Sequence, residues 1–369
     1  MPVLIPTNRE TAAEWRNEST QKPPQRAVYL HECGADAVLK QAYAHTATVW
    51  AGDFHNAKQV LAAMKKRVRK PAAKQADVQT AFHNHRMRQA QTSRVLNMLA
   101  VEIGAGFALD LPRAPDVRGA LADVYGEPNN EPFLLPLNQL LGFIGAHEWH
   151  KKGVFVPELD AAVHVPFGVF SPLRGEYLGL IARAPLPEPC ESAFDIGTGS
   201  GVIAALLAAR GIPSITATDT NPRAAACARA NIGRLGFGGR VQVEETDLFP
   251  QGRADLIVCN PPWLPAKPTS AVETALYDPG HAMLKGFLNG VRERLNPNGE
   301  AWLVMSDLAE HLHLREPDFL RQCFQAASLT VAGVLQTAPA HRKAADADDP
   351  LAFARSRETT CLYRLKAVL

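Results

Sequence analysis

The feature that most restricts the fold is a strand running straight into a glycine loop and then a helix. "FDIGTGSGVIAALLAARG", Phe194 to Gly211, places Asp195, Gly197, Thr198, Gly199 and Gly201 in a D-x-G-x-G-x-G turn. Glycines there permit tight backbone angles and remove side chains where a ligand must approach. In an open α/β sheet such a turn lies beyond the carboxyl ends of the strands, where ligands bind.

The alternation continues on both sides. Strand "SITAT" precedes helix "PRAAACARANIGRLG", strands "RVQVEE" and "ADLIVC" follow, and helix "AMLKGFLNGVRERL" precedes strand "EAWLVM". Two late strands, "LTVAGVLQT" and "TTCLYRLK", flank a polar insertion at 338–357. Together with "SAFDI" these make seven strands, and the alternation predicts a Rossmann-like, mostly parallel α/β sheet covered on both faces. A length of 369 residues suggests two domains. Residues 1–150 read as a mainly helical substrate-recognition domain, 151–172 as a β-hairpin or extended linker, and 173–369 as the ligand-binding catalytic domain. In the first region "NAKQVLAAMKKRVRK" has apolar residues at helical spacing and stops at Pro71, and "VQTAFHNHRMRQAQTSRVLNMLAVEIGAG" reads as a second helix. Its "EIGAGFA" matches the glycine loop loosely but lacks the third glycine, so a helix end is expected there.

Two acids follow the loop. Asp219 comes 18 residues after Gly201, at the end of the second strand. It suits a carboxylate accepting ribose hydroxyls, or alternatively a cap on the helix beginning near Pro222. Asp247, in "TDLF", is placed to accept an adenine amine while the Leu248 backbone addresses the ring; an ordinary loop acid is the alternative. The acid that leads the loop, Asp195, suits a cationic or amine-bearing ligand better than a pyrophosphate. That favours S-adenosylmethionine over a nicotinamide cofactor.

"NPPW", Asn260-Pro261-Pro262-Trp263, directly follows the apolar strand "ADLIVC". The two prolines fix the backbone and remove its N–H groups, so their carbonyls present acceptors without competing donors. The Asn260 side chain adds another acceptor. An NH₂ group whose lone pair is delocalised into a base or an amide is a weak nucleophile. Held by Asn260 Oδ1 and the Pro261 carbonyl, it points its lone pair at a sulfonium methyl, and Trp263 offers a wall for the planar group to stack on.

On "FDIGTGSG", "ATDTNPRAAACARAN", "TDLF", "NPPW" and "YDPGHAMLKGFL", residues from about 153 onward resemble the small-methyltransferase group of class I S-adenosylmethionine-dependent methyltransferases. That group includes release-factor glutamine N5-methyltransferases and ribosomal RNA guanine-N2 methyltransferases. The resemblance implies Asp219 on ribose, Asp247 on adenine, and Asn260 with Pro261 on the target nitrogen. "PFGVFSPLRGEYLGL" is similar to a segment bordering the cofactor in that group, which brings Ser171 and Arg174 toward the methionine carboxylate. The chain departs from the group at Trp263, where Tyr or Phe is usual.

The substrate is not inherited, because residues 1–150 match neither subfamily. The net charge of +2 hides a local excess: from Asn56 to Arg94 there are ten Lys/Arg against one acid, Asp77. That stretch favours RNA as partner over a translation-related protein or a small molecule, with a solvated helix face as the plainer alternative, and the intact Asn260–Trp263 turn argues against a non-catalytic RNA-binding or assembly role. No metal is expected. "HEWH", His147 to His150, lacks H-E-x-x-H spacing, and "DADD", Asp346–Asp349, lacks that of a calcium loop. Six cysteines with no C-x-x-C pair, no signal-like start and no long apolar run lead to the expectation of a cytoplasmic protein away from membranes.

Overall fold

The computed structural model describes residues 2–10, 12–68, 77–128, 130–173, 175–270, 272–338 and 351–368. The chain divides into two compact units, one of Met1–Ala76 with Phe82–Glu148, the other of Asp77–Ala81 with Trp149–Leu369. No helix among the described residues is long and apolar enough to cross a membrane.

In chain order, the first half carries β1 (Val3–Leu4), β2 (Ala13–Trp15), β3 (Arg26–Leu30), α1 (Ala35–Tyr43), β4 (Thr46–Trp50), α2 (Phe54–Val68), α3 (Val78–Leu96), β5 (Leu99–Ile103), α4 (Arg118–Tyr125), β6 (Phe133–Pro136) and α5 (Leu137–Lys152). Helices make up most of its regular structure, but they accompany a six-stranded mixed sheet that was not expected, in the order β1-β2-β6-β5-β4-β3. Its strands are two to five residues long. β4 is buried along its whole length, so it lacks the alternation that marks a half-exposed strand. "EIGAG" is likewise a strand end and not a helix end: α3 stops at Leu96, and β5 begins three residues later.

The second half opens with the hairpin β7 (Val154–Val156) and β8 (Ala161–Val163), paired antiparallel. α6 (Glu176–Arg183), β9 (Ser192–Ile196), α7 (Val202–Ala209), β10 (Ser214–Asp219), α8 (Pro222–Arg234), β11 (Val241–Glu245) and β12 (Ala254–Cys259) follow. Then come α9 (Ala282–Arg294), β13 (Leu295–Ser306), α10 (Leu308–His311), α11 (Phe319–Ala326), β14 (Leu329–Thr337), α12 (Ala352–Arg355) and β15 (Thr360–Ala367). The seven-stranded sheet has the order β11-β10-β9-β12-β13-β15-β14. All its pairs are parallel except those of β15, which runs against β13 and β14.

The central strands read as continuous apolar runs because both faces are buried. Ala193, Leu256, Val258, Trp302 and Val304 enter one core, with α6, α7 and α8. The alternate residues Phe194, Ile257, Cys259, Ala301 and Leu303 enter a second core, with α9 and α11. The order reverses between β9 and β12, which makes a switch-point crevice at their carboxyl ends. At the far side Glu300, 1% exposed, is held by Arg364 at 2.7 and 2.8 Å and by the Trp302 indole N–H at 2.9 Å. The polar insertion ends in folded chain: Leu351 and Ala354 are buried, while Asp346–Asp349 lie outside the described residues.

Candidate active site

Register assembles the site. β9 pairs with β12 so that Ile196 lies opposite Cys259. The next residues, Gly197 and Asn260, therefore leave the sheet side by side. β10 pairs with β9 so that Thr218 lies opposite Ile196, which brings Asp219 to the same edge. Beyond these three strand ends is a cavity of roughly 400 Å³, lined by Gly197, Thr198, Gly199, Asp219, Asp247, Leu248 and the whole Asn260–Trp263 turn.

The loop is held open by glycine conformations. Gly197, Gly199 and Gly201 have φ of 70°, 58° and 81°. A Cβ on Gly199 would meet nothing within 4 Å, so bare backbone faces the cavity there. A Cβ on Gly201 would come to 3.0 Å from the Ala228 Cα, so this glycine lets α7 approach α8.

Asp219 stitches the edge together. Its Oδ2 accepts from the Gly199 N–H at 2.9 Å and its Oδ1 from the Asn221 N–H at 2.9 Å. Burial raises its pKa, and the backbone N–H groups pull it back. The cap of α8 is Asn221, whose side chain accepts from Arg223 N, so Asp219 keeps its carboxylate on the cavity wall. Asp247 is exposed. Beside it Leu248 has φ 52°, and its carbonyl accepts from the Thr218 hydroxyl at 2.6 Å.

Asp195 requires a correction. It is fully buried and off the cavity wall. Its Oδ2 turns beneath the loop to accept from the Thr198 hydroxyl at 2.6 Å and the Ala204 N–H at 3.0 Å. Burial, with a smaller push from Asp219, lifts its pKa to about 7 against those two hydrogen bonds. Ser171 also lies off the wall, which that segment supplies instead through Gly168, Val169 and Phe170. Arg174 lies outside the described residues.

In the Asn-Pro-Pro-Trp turn the Trp263 indole N–H donates to Asn260 Oδ1 at 3.1 Å. Trp263 is half-buried and packs against both cores. Tyr177, on α6 and buried, also lines the cavity. Burial raises its phenol pKa, the Asp195 charge adds to the rise, and a hydrogen bond with the Asn260 side chain opposes it. The chain after the turn folds back, with the Asp278 N–H donating to the Leu264 carbonyl at 2.8 Å. That return brings Thr274 through Tyr277 onto the wall, where Met283, Leu308 and Arg355 join them. Sequence reasoning missed these residues and Tyr177. Only "YDPGH" gave a signal, since Asp278 in it caps the start of α9 through Met283 N and Leu284 N.

The basic stretch falls on α2 and α3. Lys58, Lys65, Lys66, Arg67 and Arg94 are exposed. Arg67 pairs with Asp36 at 2.9 Å, and Arg94 Nη2 contacts His45 Nδ1 at 3.0 Å. Arg69, Lys70 and Lys74 lie outside the described residues. His147 of "HEWH" pairs with Asp123 at 2.7 Å.

Residues 168–333 match the family model described as "Methyltransferase small domain". The chain is 40% identical over 145 residues to a release factor glutamine methyltransferase of Cereibacter sphaeroides, covering 35% of this chain and 51% of that protein. It is 30% identical over 133 residues to a tRNA1(Val) (adenine(37)-N6)-methyltransferase of Cytophaga hutchinsonii, covering 34% and 56%. It is 31% identical over 163 residues to a ribosomal protein uL3 glutamine methyltransferase of Bordetella pertussis, covering 42% and 50%. The chain thus spans about half the length of these curated relatives.

Proposed function

We propose that this chain, whose residues 168–333 match the small-methyltransferase family model, is an S-adenosylmethionine-dependent N-methyltransferase acting on a planar exocyclic or amide nitrogen, with a base in RNA as the preferred substrate. The observation that carries this reading is the Ile196–Cys259 register, which puts the glycine loop and the Asn-Pro-Pro-Trp turn on one cavity.

The residues present fit the cofactor. Open backbone at Gly199 leaves room for its close approach. Asp219 holds the ribose hydroxyls, and Asp247 with the Leu248 backbone holds the adenine. Bound there, S-adenosylmethionine supplies an electrophilic sulfonium methyl. Asn260 Oδ1 and the Pro261 carbonyl accept the two hydrogens of the target NH₂ and turn its lone pair toward that methyl. Pro262 keeps the turn rigid and free of N–H donors, and Trp263 stacks on the planar group. This is catalysis by orientation and fixed dipoles, and no strong base is required. The amine proton is released to solvent after transfer. Asp195 acts from beneath, holding the loop through Thr198 and Ala204.

The RNA preference rests on exposed Lys58, Lys65 and Lys66 on α2 and on the likeness to a tRNA adenine-N6 enzyme. The likeness to two glutamine methyltransferases supports a protein amide as the second reading. Methyl-labelled S-adenosylmethionine, incubated with the protein and lysate of a strain lacking its gene, separates the two. Ribonuclease-sensitive label is the expected result. Protease-sensitive label moves the assignment to a protein amide, and calorimetry showing tight NADH binding with none of S-adenosylmethionine overturns the whole reading.

A further inference from the structure

Asn260 has an amide that works in only one of its two orientations. Its oxygen must face the target NH₂, because a flip would set the amide NH₂ against another donor. A turn made of prolines fixes the backbone but not the side-chain torsion that exchanges Oδ1 and Nδ2. Something else must select the orientation.

We propose that Trp263 is a positioning residue whose indole N–H locks the Asn260 amide with its oxygen toward the acceptor. The proposal rests on the N-methyltransferase reading above. The indole nitrogen lies 3.1 Å from Oδ1. It is a donor only, so it rejects the flipped amide, whereas a tyrosine hydroxyl donates or accepts and a phenylalanine does neither. A carbonyl oxygen has two lone pairs; the indole occupies one and leaves the other for the target hydrogen. Tyr177, buried on α6, lines the same cavity, and its interaction with the Asn260 side chain lowers its phenol pKa against burial. Trp263 therefore does more than offer a wall: its ring is anchored between the two cores of the sheet, which fixes the N–H in space. The departure from Tyr or Phe at this position then has a function.

The test removes the N–H and keeps the ring. Trp263 is replaced by 3-benzothienylalanine, in which sulfur takes the place of the indole N–H, with Trp263→Phe as a second variant. Methyl transfer from S-adenosylmethionine is measured with excess lysate of the gene-deleted strain as acceptor. One neutral hydrogen bond sets the scale, so kcat should fall roughly 3- to 10-fold while KM for S-adenosylmethionine holds. In an Asn260→Ala background the same replacement should cost nothing further, a non-additivity that general loosening of the ring would not produce. Full kcat in the benzothienyl protein, or an undiminished loss in the Asn260→Ala background, overturns the inference alone. A wild-type protein that neither binds S-adenosylmethionine by calorimetry nor transfers methyl overturns the underlying reading, and the inference with it.

Discussion

Asn260 emerges one residue past a buried strand end and lines the cavity, so removing its side chain deletes an acceptor without opening the core. Asn260→Ala should lower kcat by on the order of 10²- to 10³-fold, as loss of one preorganised transition-state dipole does. Retention of full turnover would remove the mechanism. Asp195 makes a different prediction. Its pKa is about 7 when folded against an ordinary 3.8, so between about pH 4 and 7 the folded state keeps a proton that the unfolded chain has released. Stability contributed at this site therefore falls as pH rises through that window. Asp195→Asn removes this slope, and its denaturation midpoint should gain on wild type between pH 4.5 and 7.5. Parallel midpoints would exclude a raised pKa. These residues also mark what was legible in the site. The glycine loop and the Asn-Pro-Pro-Trp turn could be read because each is a contiguous run whose residue types serve one geometry. Tyr177 and Arg355 could not, since each reaches the wall alone from the body or end of a helix. Asp195 could be read as the acid that leads the loop, but not as one that turns beneath it, away from the cavity.

At the scale of elements, the loop between β9 and α7 separates two uses of glycine. Gly201→Ala forces a methyl to 3.0 Å from the Ala228 backbone at φ 81°, so α7 and α8 must move apart. A loss of roughly 1–3 kcal/mol in denaturant unfolding is expected. Gly199→Ala meets no protein atom but points its methyl into the space assigned to the ligand. It should weaken S-adenosylmethionine binding by more than tenfold in calorimetry while costing less stability than Gly201→Ala. The reverse ranking would move the ligand away from this loop. The second sheet was legible because its central strands are apolar runs buried on both faces and alternating with helices, and its last three strands run to eight residues or more. The first was not, because β4 to β6 have at most five residues each and β5 follows α3 so closely that its apolar residues extend the helical pattern.

For the molecule as a whole, the net charge of +2 says little about partners, and the placement of charge says more. Of the exposed basic residues on α2, Arg67 is engaged by Asp36, which leaves Lys58, Lys65 and Lys66 as the cationic surface of that helix. Lys58 and Lys65 are seven residues apart and so project from nearly the same face. A lysine that neutralises an RNA phosphate releases condensed counterion, and each contributes about 0.7 to the slope of log K against log salt for a single strand. Replacing all three with Ala should therefore reduce that slope by about 2 and weaken binding to RNA from the gene-deleted strain, with little sequence dependence. Because all three are exposed, the melting temperature should hold, and so should binding of S-adenosylmethionine. An unchanged slope and affinity would show that α2 does not meet phosphate. Combined with protease-sensitive methyl label, that result would turn the substrate from an RNA base to a protein amide without disturbing the chemistry assigned to Asn260.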